Sequence, residues 1–312
     1  MRARGINYDT GFLPGDGSRT RFTSDIVTRD LRVIAEELHC DAVRISGRDP
    51  DRLILAAERA AEHGLEIWLA PFPVDVPQGE MLDLFADCAA RAERLRAGGA
   101  SVRFVAGCEF TAFAPGFIDG ATYGDRLTTI GTADMEWWNG LGAVIGRLNV
   151  YLAEVAAKVR EHFDGPVTYA AAPWEFVDWT PFDYVGADAY RAEYNQDDFA
   201  GEVAELGKHG KPVAVLEYGT CAYTGAGKLG GMAWRPPAGA VPDEGEQVRY
   251  FTELLDVFEA QGVDTALWFT FAGFGRTGDA DLGSYGVVRM LSEEADWERK
   301  ELFHAMAARY AS

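Results

Sequence analysis

The chain alternates between short apolar runs and longer segments in which apolar residues recur at helical spacing. Eight runs have the length and composition of strands: RGINY (4–8), DAVRIS (41–46), LEIWLAP (65–71), VRFVAGC (102–108), PVTYAAA (166–172), FDYVGAD (182–188), PVAVLE (212–217) and DTALWFTF (264–271). Most of them are apolar throughout rather than at every second position, which is typical of parallel strands covered on both faces. The pattern predicts eight buried parallel strands.

Segments with helical periodicity lie between these strands. The clearest extends from about residue 136 to 163, and the others cover roughly 25–39, 50–63, 79–97, 198–209, 244–260 and 296–310. Strands that alternate with helices predict an α/β fold with a parallel sheet. The count of eight favours a single (β/α)8 TIM barrel over an open doubly wound sheet, with residues 1–312 forming one domain.

Three of the predicted connections that follow strands are much longer than the others. They come after the fourth strand (about 109–135), the seventh (218–243) and the eighth (271–295), and they are rich in glycine and aromatic residues. The carboxyl ends of all barrel strands open on one face, where active sites are built. The long loops therefore predict function at that face.

Two glutamates occur where strands end on that face. Glu109 directly follows the fourth strand and Glu217 ends the seventh. Hydrolysis of a glycosidic bond requires a pair of carboxyl groups at one site, and two glutamates that converge there would supply them. Arg44, Tyr190 and Trp268 fall near the ends of the second, sixth and eighth strands. An arginine keeps a nearby carboxylate ionised, a tyrosine hydroxyl orients it, and a tryptophan face can stack on a sugar ring.

This set of residues resembles clan A, the large clan of retaining glycoside hydrolases with (β/α)8 barrels. The resemblance implies that Glu109 is the acid/base and Glu217 the nucleophile. It also implies that Arg44 and Tyr190 flank the nucleophile and that Trp268 floors the sugar site. The implied reaction is a double displacement through a glycosyl-enzyme intermediate, which requires carboxyl groups about 5–5.5 Å apart.

Two positions depart from the clan's pattern. Clan members usually have asparagine before the acid/base, where this chain has Cys108, and many have histidine where it has Asp188. A thiol is a weak hydrogen-bond donor and a poor substitute for an amide. Three alternatives stay open: the substrate lacks an ordinary 2-hydroxyl, another group binds that hydroxyl, or the activity is weak or lost. In the last case the barrel would bind a sugar or glycosylated metabolite without cleaving it.

Further aromatic residues in the loops are candidates for contact with substrate. Trp174 and Trp234 could line a sugar cleft or could pack the loops against the barrel rim. Trp137 and Trp138 begin a predicted helix, and at least one of them is expected in the core.

Composition narrows the classes of partner. The chain has 49 acidic and 29 basic residues and a net charge of −20, which argues against nucleic acid as a partner. No apolar run approaches the roughly 20 residues that span a bilayer. Four scattered cysteines and the lack of a signal-like segment lead us to expect a cytoplasmic protein with a small carbohydrate substrate.

No cofactor or metal is predicted. The five histidines form no HxH pair at a strand end, so a metal-dependent hydrolase is not favoured. The segment GAGKLG (225–230) matches a dinucleotide motif literally, but it follows the seventh strand and opens no periodic helix.

Overall fold

The fold is a barrel of eight parallel strands, seen in a computed structural model that describes residues 1–292 and 295–312. The strands are β1 (Ala3–Asp9), β2 (Ala42–Gly47), β3 (Glu66–Pro71), β4 (Val102–Cys108), β5 (Val167–Ala170), β6 (Val185–Asp188), β7 (Val213–Tyr218) and β8 (Thr265–Trp268). They are hydrogen-bonded in the order β5-β4-β3-β2-β1-β8-β7-β6. A parallel bridge between Ala171 and Ala187 joins the two end strands. The predicted (β/α)8 barrel and its eight strands are confirmed.

Helices surround the barrel and fill the loop after β4. They are α1 (Ser24–Glu36), α2 (Pro50–Glu62), α3 (Gln78–Ala97), α4 (Phe110–Phe113), α5 (Tyr123–Thr132), α6 (Met135–Asn139), α7 (Gly142–Arg160), α8 (Phe199–Leu206), α9 (Glu244–Ala260) and α10 (Glu301–Tyr310). Short 3-10 segments cover Pro14–Asp16, Gly207–His209, Ala226–Lys228, Gly230–Met232 and Gly278–Gly283.

Two predicted helices have the wrong extent. The segment predicted as one helix over 136–163 is divided into α6 and α7, because α6 is capped at Gly140. The helix predicted from residue 296 begins only at Glu301, since Trp297–Arg299 forms a strand instead.

The loop after β8 contains a small sheet of its own. Its strands are β9 (Ala272–Thr277), β10 (Val288–Met290) and β11 (Trp297–Arg299), in the order β11-β10-β9. The loop predicted over 271–295 is therefore largely ordered, although its residues 293 and 294 lie outside the described part of the chain.

Side chains of the barrel strands serve two separate apolar layers. One set packs inside the barrel and includes Ala42, Trp68, Val105, Ala214, Leu216 and Leu267. The other packs beneath the helices and includes Val43, Ile67, Phe104, Val215, Ala266 and Trp268. Because both faces of each strand are buried in apolar surroundings, the strands read as continuous apolar runs.

The strand alternation is interrupted near the glutamates. The pairing register shifts between Val105 and Cys108 in β4 and between Val215 and Tyr218 in β7. Irregularities of this kind bend a strand and redirect its side chains. In β7 the side chains of Leu216 and Glu217 are both on the inner side of the barrel, whereas Tyr218 packs in the apolar layer beneath the helices. The register shift allows this break in the alternation.

Within residues 1–292 and 295–312, no helix is both long and apolar enough to cross a bilayer.

Candidate active site

Glu217 is held by two hydrogen-bond donors, one from β2 and one from the loop after β6. Arg44 Nη1 lies 2.5 Å from Glu217 Oε1, and the Tyr190 hydroxyl donates to Oε2 over 2.9 Å. Arg44 is fully buried and Glu217 is 8% exposed. The contacts expected between these three side chains are present, and both carboxylate oxygens accept a hydrogen bond.

Asn7 fixes this arrangement from β1. Its side-chain oxygen accepts a hydrogen bond from Arg44 Nη1 over 3.2 Å, and its amide donates to the carbonyl of Leu216 over 2.8 Å. Sequence analysis missed Asn7. The available signal was a lone amide inside the apolar run RGINY, because a buried polar group requires hydrogen-bond partners.

Glu109 lies just beyond β4 with a left-handed backbone, at a φ of 40°. Its N–H donates to the carbonyl of Ala170 over 2.9 Å, so β5 fixes its position. Burial raises the pKa of the Glu109 carboxyl well above its usual range, and negative charge on Asp188, Glu217 or Glu175 raises it further. Arg44 opposes these effects. The protonated form of Glu109 is favoured, as a general acid requires.

Glu175 is a buried carboxyl near Glu109 that sequence analysis also missed. It accepts hydrogen bonds from the Thr111 N–H at 2.9 Å, the Thr111 hydroxyl at 2.7 Å and the Tyr169 hydroxyl at 2.8 Å. Burial raises its pKa in spite of these donors. Glu175 therefore ties the loop after β5 to the first turn after Glu109. Its signal was a single acidic residue in PWEF, shortly after the fifth strand.

Cys108 and Asp188 form a buried pair on another side of Glu217. The Cys108 thiol donates to Asp188 Oδ2, with 3.4 Å between the atoms, and lies 3.7 Å from Glu217 Oε1. Asp188 is opposite Glu217 in the β6–β7 register, and its Oδ1 has no hydrogen-bond partner among the described residues. Burial raises the pKa of Asp188 well above its usual range, and the charge of Glu217 adds to this. Burial likewise raises the pKa of the Cys108 thiol. The neutral acid and the neutral thiol are therefore favoured.

Cys108, Asp188 and Glu217 carry the kinds of atom that bind metal ions. Potential ligand atoms of Cys108, Asp188 and Glu217 lie within 4.8 Å of one another. However, the Arg44 guanidinium already contacts Glu217 at 2.5 Å and supplies positive charge where an ion would. The geometry favours an arginine-supported carboxylate over a metal centre.

Trp268 faces away from the site, which corrects the expectation that it stacks on a sugar. It is fully buried and packs edge-on against Tyr218, Tyr250 and Phe251 in the helical layer. The physical reason is strand alternation, because Leu267 points into the barrel and the next residue must point outward.

Phe269 follows Trp268 and is the aromatic residue on the site's side of β8. It is half-buried and packs against Tyr285 at 5.5 Å, and Tyr285 packs against Tyr190 at 6.2 Å. An apolar wall therefore leads from the end of β8 to the tyrosine that holds Glu217.

Trp174 and Trp234 lie on different sides of the site. Trp174 is half-buried and donates its indole N–H to the Thr111 hydroxyl over 2.9 Å, close to Glu109 in the chain. Trp234 packs in the same loop cluster as Tyr190, Phe269 and Tyr285.

No protein-family model matches the chain, and no curated protein matches it. Among solved structures, a GH113 beta-1,4-mannanase has a TM-score of 0.70 at 16% identity, covering 100% of both chains. A GH113 beta-mannanase from Alicyclobacillus acidocaldarius, in complex with ManMIm, has a TM-score of 0.67 at 17% identity, covering 99% of this chain and 97% of that one. A beta-glucuronidase 2 from Bacteroides uniformis has a TM-score of 0.64 at 16% identity, covering 99% of this chain and 34% of that one. The chain therefore has the (β/α)8-barrel fold found in these glycoside hydrolases.

Proposed function

We propose that the protein is a retaining glycoside hydrolase that acts on a small glycoside or an oligosaccharide. One observation carries this proposal: Glu217 is a hydrogen-bonded carboxylate held by Arg44 and Tyr190, and it shares its site with Glu109, whose raised pKa favours the protonated acid. A carboxylate beside a carboxylic acid is the pair that double displacement needs. The fold shared with glycoside hydrolases supports the same reaction class.

In the first step, a Glu217 oxygen bonds to the anomeric carbon while the bond from that carbon to the leaving oxygen breaks. The Glu109 proton passes to the leaving oxygen, so the leaving group departs as a neutral alcohol. In the second step, Glu109 takes a proton from water, the water oxygen bonds to the anomeric carbon, and the ester to Glu217 breaks. A sugar hydroxyl in place of water would give transglycosylation through the same intermediate.

Arg44 and Tyr190 have positioning roles in this scheme. Tyr190 and Arg44 each occupy one oxygen of Glu217, which restricts rotation of the carboxylate before attack. When the ester forms, Glu217 loses its negative charge. One of the negative charges that raise the pKa of Glu109 is then absent, so that pKa falls. A lower pKa suits the change of Glu109 from acid to base.

A second candidate function is sugar binding without cleavage. It is favoured by the Cys108 thiol, which stands where the clan usually has an amide and which is engaged with Asp188. A thiol beside Glu217 is a weaker hydrogen-bond donor to a sugar hydroxyl than an amide would be.

Mechanism-based labelling tests the two functions against each other. We expect a panel of fluorinated aryl glycosides to include one that inactivates the protein and labels Glu217, identified by peptide mapping. Glu217→Gln is expected to abolish turnover, and Glu109→Ala to retain part of it only for substrates whose leaving group needs no protonation.

The exposed glutamate Glu161 provides the matched control, since Glu161→Gln is expected to retain full activity. Saturable sugar binding without turnover or labelling would support the second function. Full activity in both the Glu217 and Glu109 variants would refute the proposed roles.

A further inference from the structure

The loop after β4 exposes an aromatic surface that the proposed reaction does not use. Helix α6 (Met135–Asn139) has no buried residue, and Met135 at its start is 72% exposed. Trp137 and Trp138 are only half-buried, so the expectation that at least one of them is in the core is wrong. Large apolar side chains left at the surface of a loop are a recognised sign of a binding site.

These tryptophans continue a row that starts beside the acid/base. The Trp174 indole is anchored on Thr111, two residues after Glu109. The ring centroids of Trp174 and Trp138 are 6.3 Å apart, and those of Trp138 and Trp137 are 4.9 Å apart in a perpendicular contact. The row therefore leads from the Glu109 loop outward to α6.

An open pocket of about 430 Å³ lies at the outer end of the row. It is lined by Trp137 together with Thr129, Thr132, Ala133, Asp134 and Glu136. The pocket is open to solvent, which suits sugar units that extend away from the reacting bond. Neither Glu109 nor Glu217 borders the pocket, so it cannot hold the sugar that reacts.

The chemistry of this surface fits a neutral sugar. Indole faces cover the apolar C–H side of a sugar ring, while the hydroxyls of Thr129 and Thr132 and the carboxylates of Asp134 and Glu136 can bond sugar hydroxyls. The two carboxylates and the net charge of −20 disfavour an acidic saccharide.

The position of the row indicates which end of the substrate it would bind. In the proposed reaction, the general acid lies over the leaving oxygen, so the leaving group extends on the side of Glu109. The row begins on the loop that carries Glu109, through Thr111 and Trp174. It is therefore continuous with the leaving-group side of the site.

We propose that Trp174, Trp138 and Trp137, with the pocket beside Trp137, bind the sugar units of the leaving group, so that the substrate is a neutral oligosaccharide or polysaccharide. This inference rests on the proposed glycosidase function. Binding energy from units remote from the reacting bond can be used to lower the barrier at that bond, so longer substrates should react faster.

Kinetics with substrates of increasing length test the proposal. Neutral manno- and gluco-oligosaccharides of two to six units are compared with an activated aryl glycoside, which lacks leaving-group sugars. The quantity compared is kcat/KM for the longest cleaved oligosaccharide divided by kcat/KM for the aryl glycoside. In Trp137→Ala and Trp138→Ala we expect this ratio to fall about 3- to 10-fold, which corresponds to the loss of one aromatic contact. Tyr194→Ala is the matched control, because Tyr194 is a 78% exposed aromatic residue outside the row, and its ratio should not change.

Binding to the Glu217→Gln protein separates this inference from the proposed reaction. Titration with the same oligosaccharides should quench tryptophan fluorescence, and the additional Trp138→Ala change should weaken binding by a similar factor. If binding depends on the tryptophans but no substrate is turned over, the remote sugar site is supported and the proposed hydrolase function is refuted. An unchanged ratio together with unchanged binding in both tryptophan variants would overturn the inference.

Discussion

Four carboxyl groups interact around the site, and Arg44 contacts one of them directly. Glu217 has the Arg44 contact at 2.5 Å, whereas burial raises the pKa values of Glu109, Glu175 and Asp188. The raised pKa of Glu109 suits its proposed role as the acid. The raised pKa of Asp188 follows first from its burial and then from its position beside Glu217, because two adjacent buried carboxylates cannot both ionise cheaply.

Asp188→Asn is expected to stabilise the protein in a pH-dependent way. When folding raises the pKa of a carboxyl group, the folded state loses stability relative to the unfolded state as the pH rises. The loss begins near the pKa of the unfolded state, about 3.9, and continues up to the pKa of the folded state. The variant should therefore gain about 1.4 kcal/mol at pH 8 for each unit by which the pKa is raised, and almost nothing at pH 3. Urea unfolding at the two pH values measures this.

The exposed Asp197→Asn provides the control for that experiment and should show little change at either pH. An equal gain from Asp188→Asn at pH 3 and pH 8 would mean that charge at Asp188 is not the cause.

The alkaline limit of activity is expected to follow the proton on Glu109. As pH rises through its raised pKa, kcat/KM should fall about tenfold per pH unit for substrates with poor leaving groups, and less for activated aryl glycosides. Because the pKa of the Cys108 thiol is also raised, Cys108→Ser must be measured beside the unmodified protein. If the kcat/KM of Cys108→Ser no longer falls at high pH, the group responsible for the fall is the Cys108 thiol and not Glu109.

At the scale of elements, the end of β4 determines where Glu109 lies. Gly107 has a φ of 105°, and a Cβ there would lie 2.1 Å from the ring of Phe110. Only glycine accommodates both the backbone conformation and the close ring. The Phe110 N–H donates to the Tyr169 hydroxyl over 2.6 Å, so the turn is also fastened to β5.

Gly107→Ala is expected to destabilise the protein by about 1–3 kcal/mol and to lower kcat more than it raises KM. The added methyl group must displace Phe110, and the displacement moves the neighbouring Glu109. Gly64→Ala is a matched control, because Gly64 has a φ of 74° but a Cβ added there would meet no atom of the described residues within 4 Å. If the two variants lose equal stability and equal activity, the ring contact is not what positions Glu109.

At the scale of the whole molecule, the two ends of the barrel have different tasks. The site is at the carboxyl ends of the strands, while the opposite end carries an ion-pair network around Glu66. Arg2 and Arg103 contact the Glu66 carboxylate at 2.6 and 2.8 Å, and the Trp68 indole donates to it over 2.9 Å. These contacts join the starts of β1, β3 and β4.

Glu66→Ala is therefore expected to reduce stability without changing the chemistry. Removing the shared acceptor takes an ion-pair partner from Arg103 and a hydrogen-bond partner from the Trp68 indole, at a cost of about 1.5–3 kcal/mol, while Arg2 keeps its contact with Asp264 at 2.9 Å. Thermal unfolding should show a lower Tm, while kcat/KM measured well below that temperature stays the same. A fall in kcat/KM of tenfold or more would show that the two ends of the barrel are coupled.

The sequence by itself determined the eight strands, their alternation with helices and the placement of Glu109, Arg44 and Glu217 at one face. Each of these follows from local periodicity and from which residues end a strand. The cytoplasmic location and the absence of a cofactor stay predictions.

Only the tertiary structure decided which buried surroundings each side chain occupies. Trp268 and Phe269 are neighbours in one apolar run, yet one packs under helices and the other faces the site. Apolar periodicity does not distinguish the inside of a barrel from the layer beneath its helices, because both are apolar. Asn7 and Glu175 could not be assigned for a related reason: Asn7 bonds to Arg44 and Glu175 bonds to Thr111, and hydrogen bonds to partners so distant in sequence leave no local pattern.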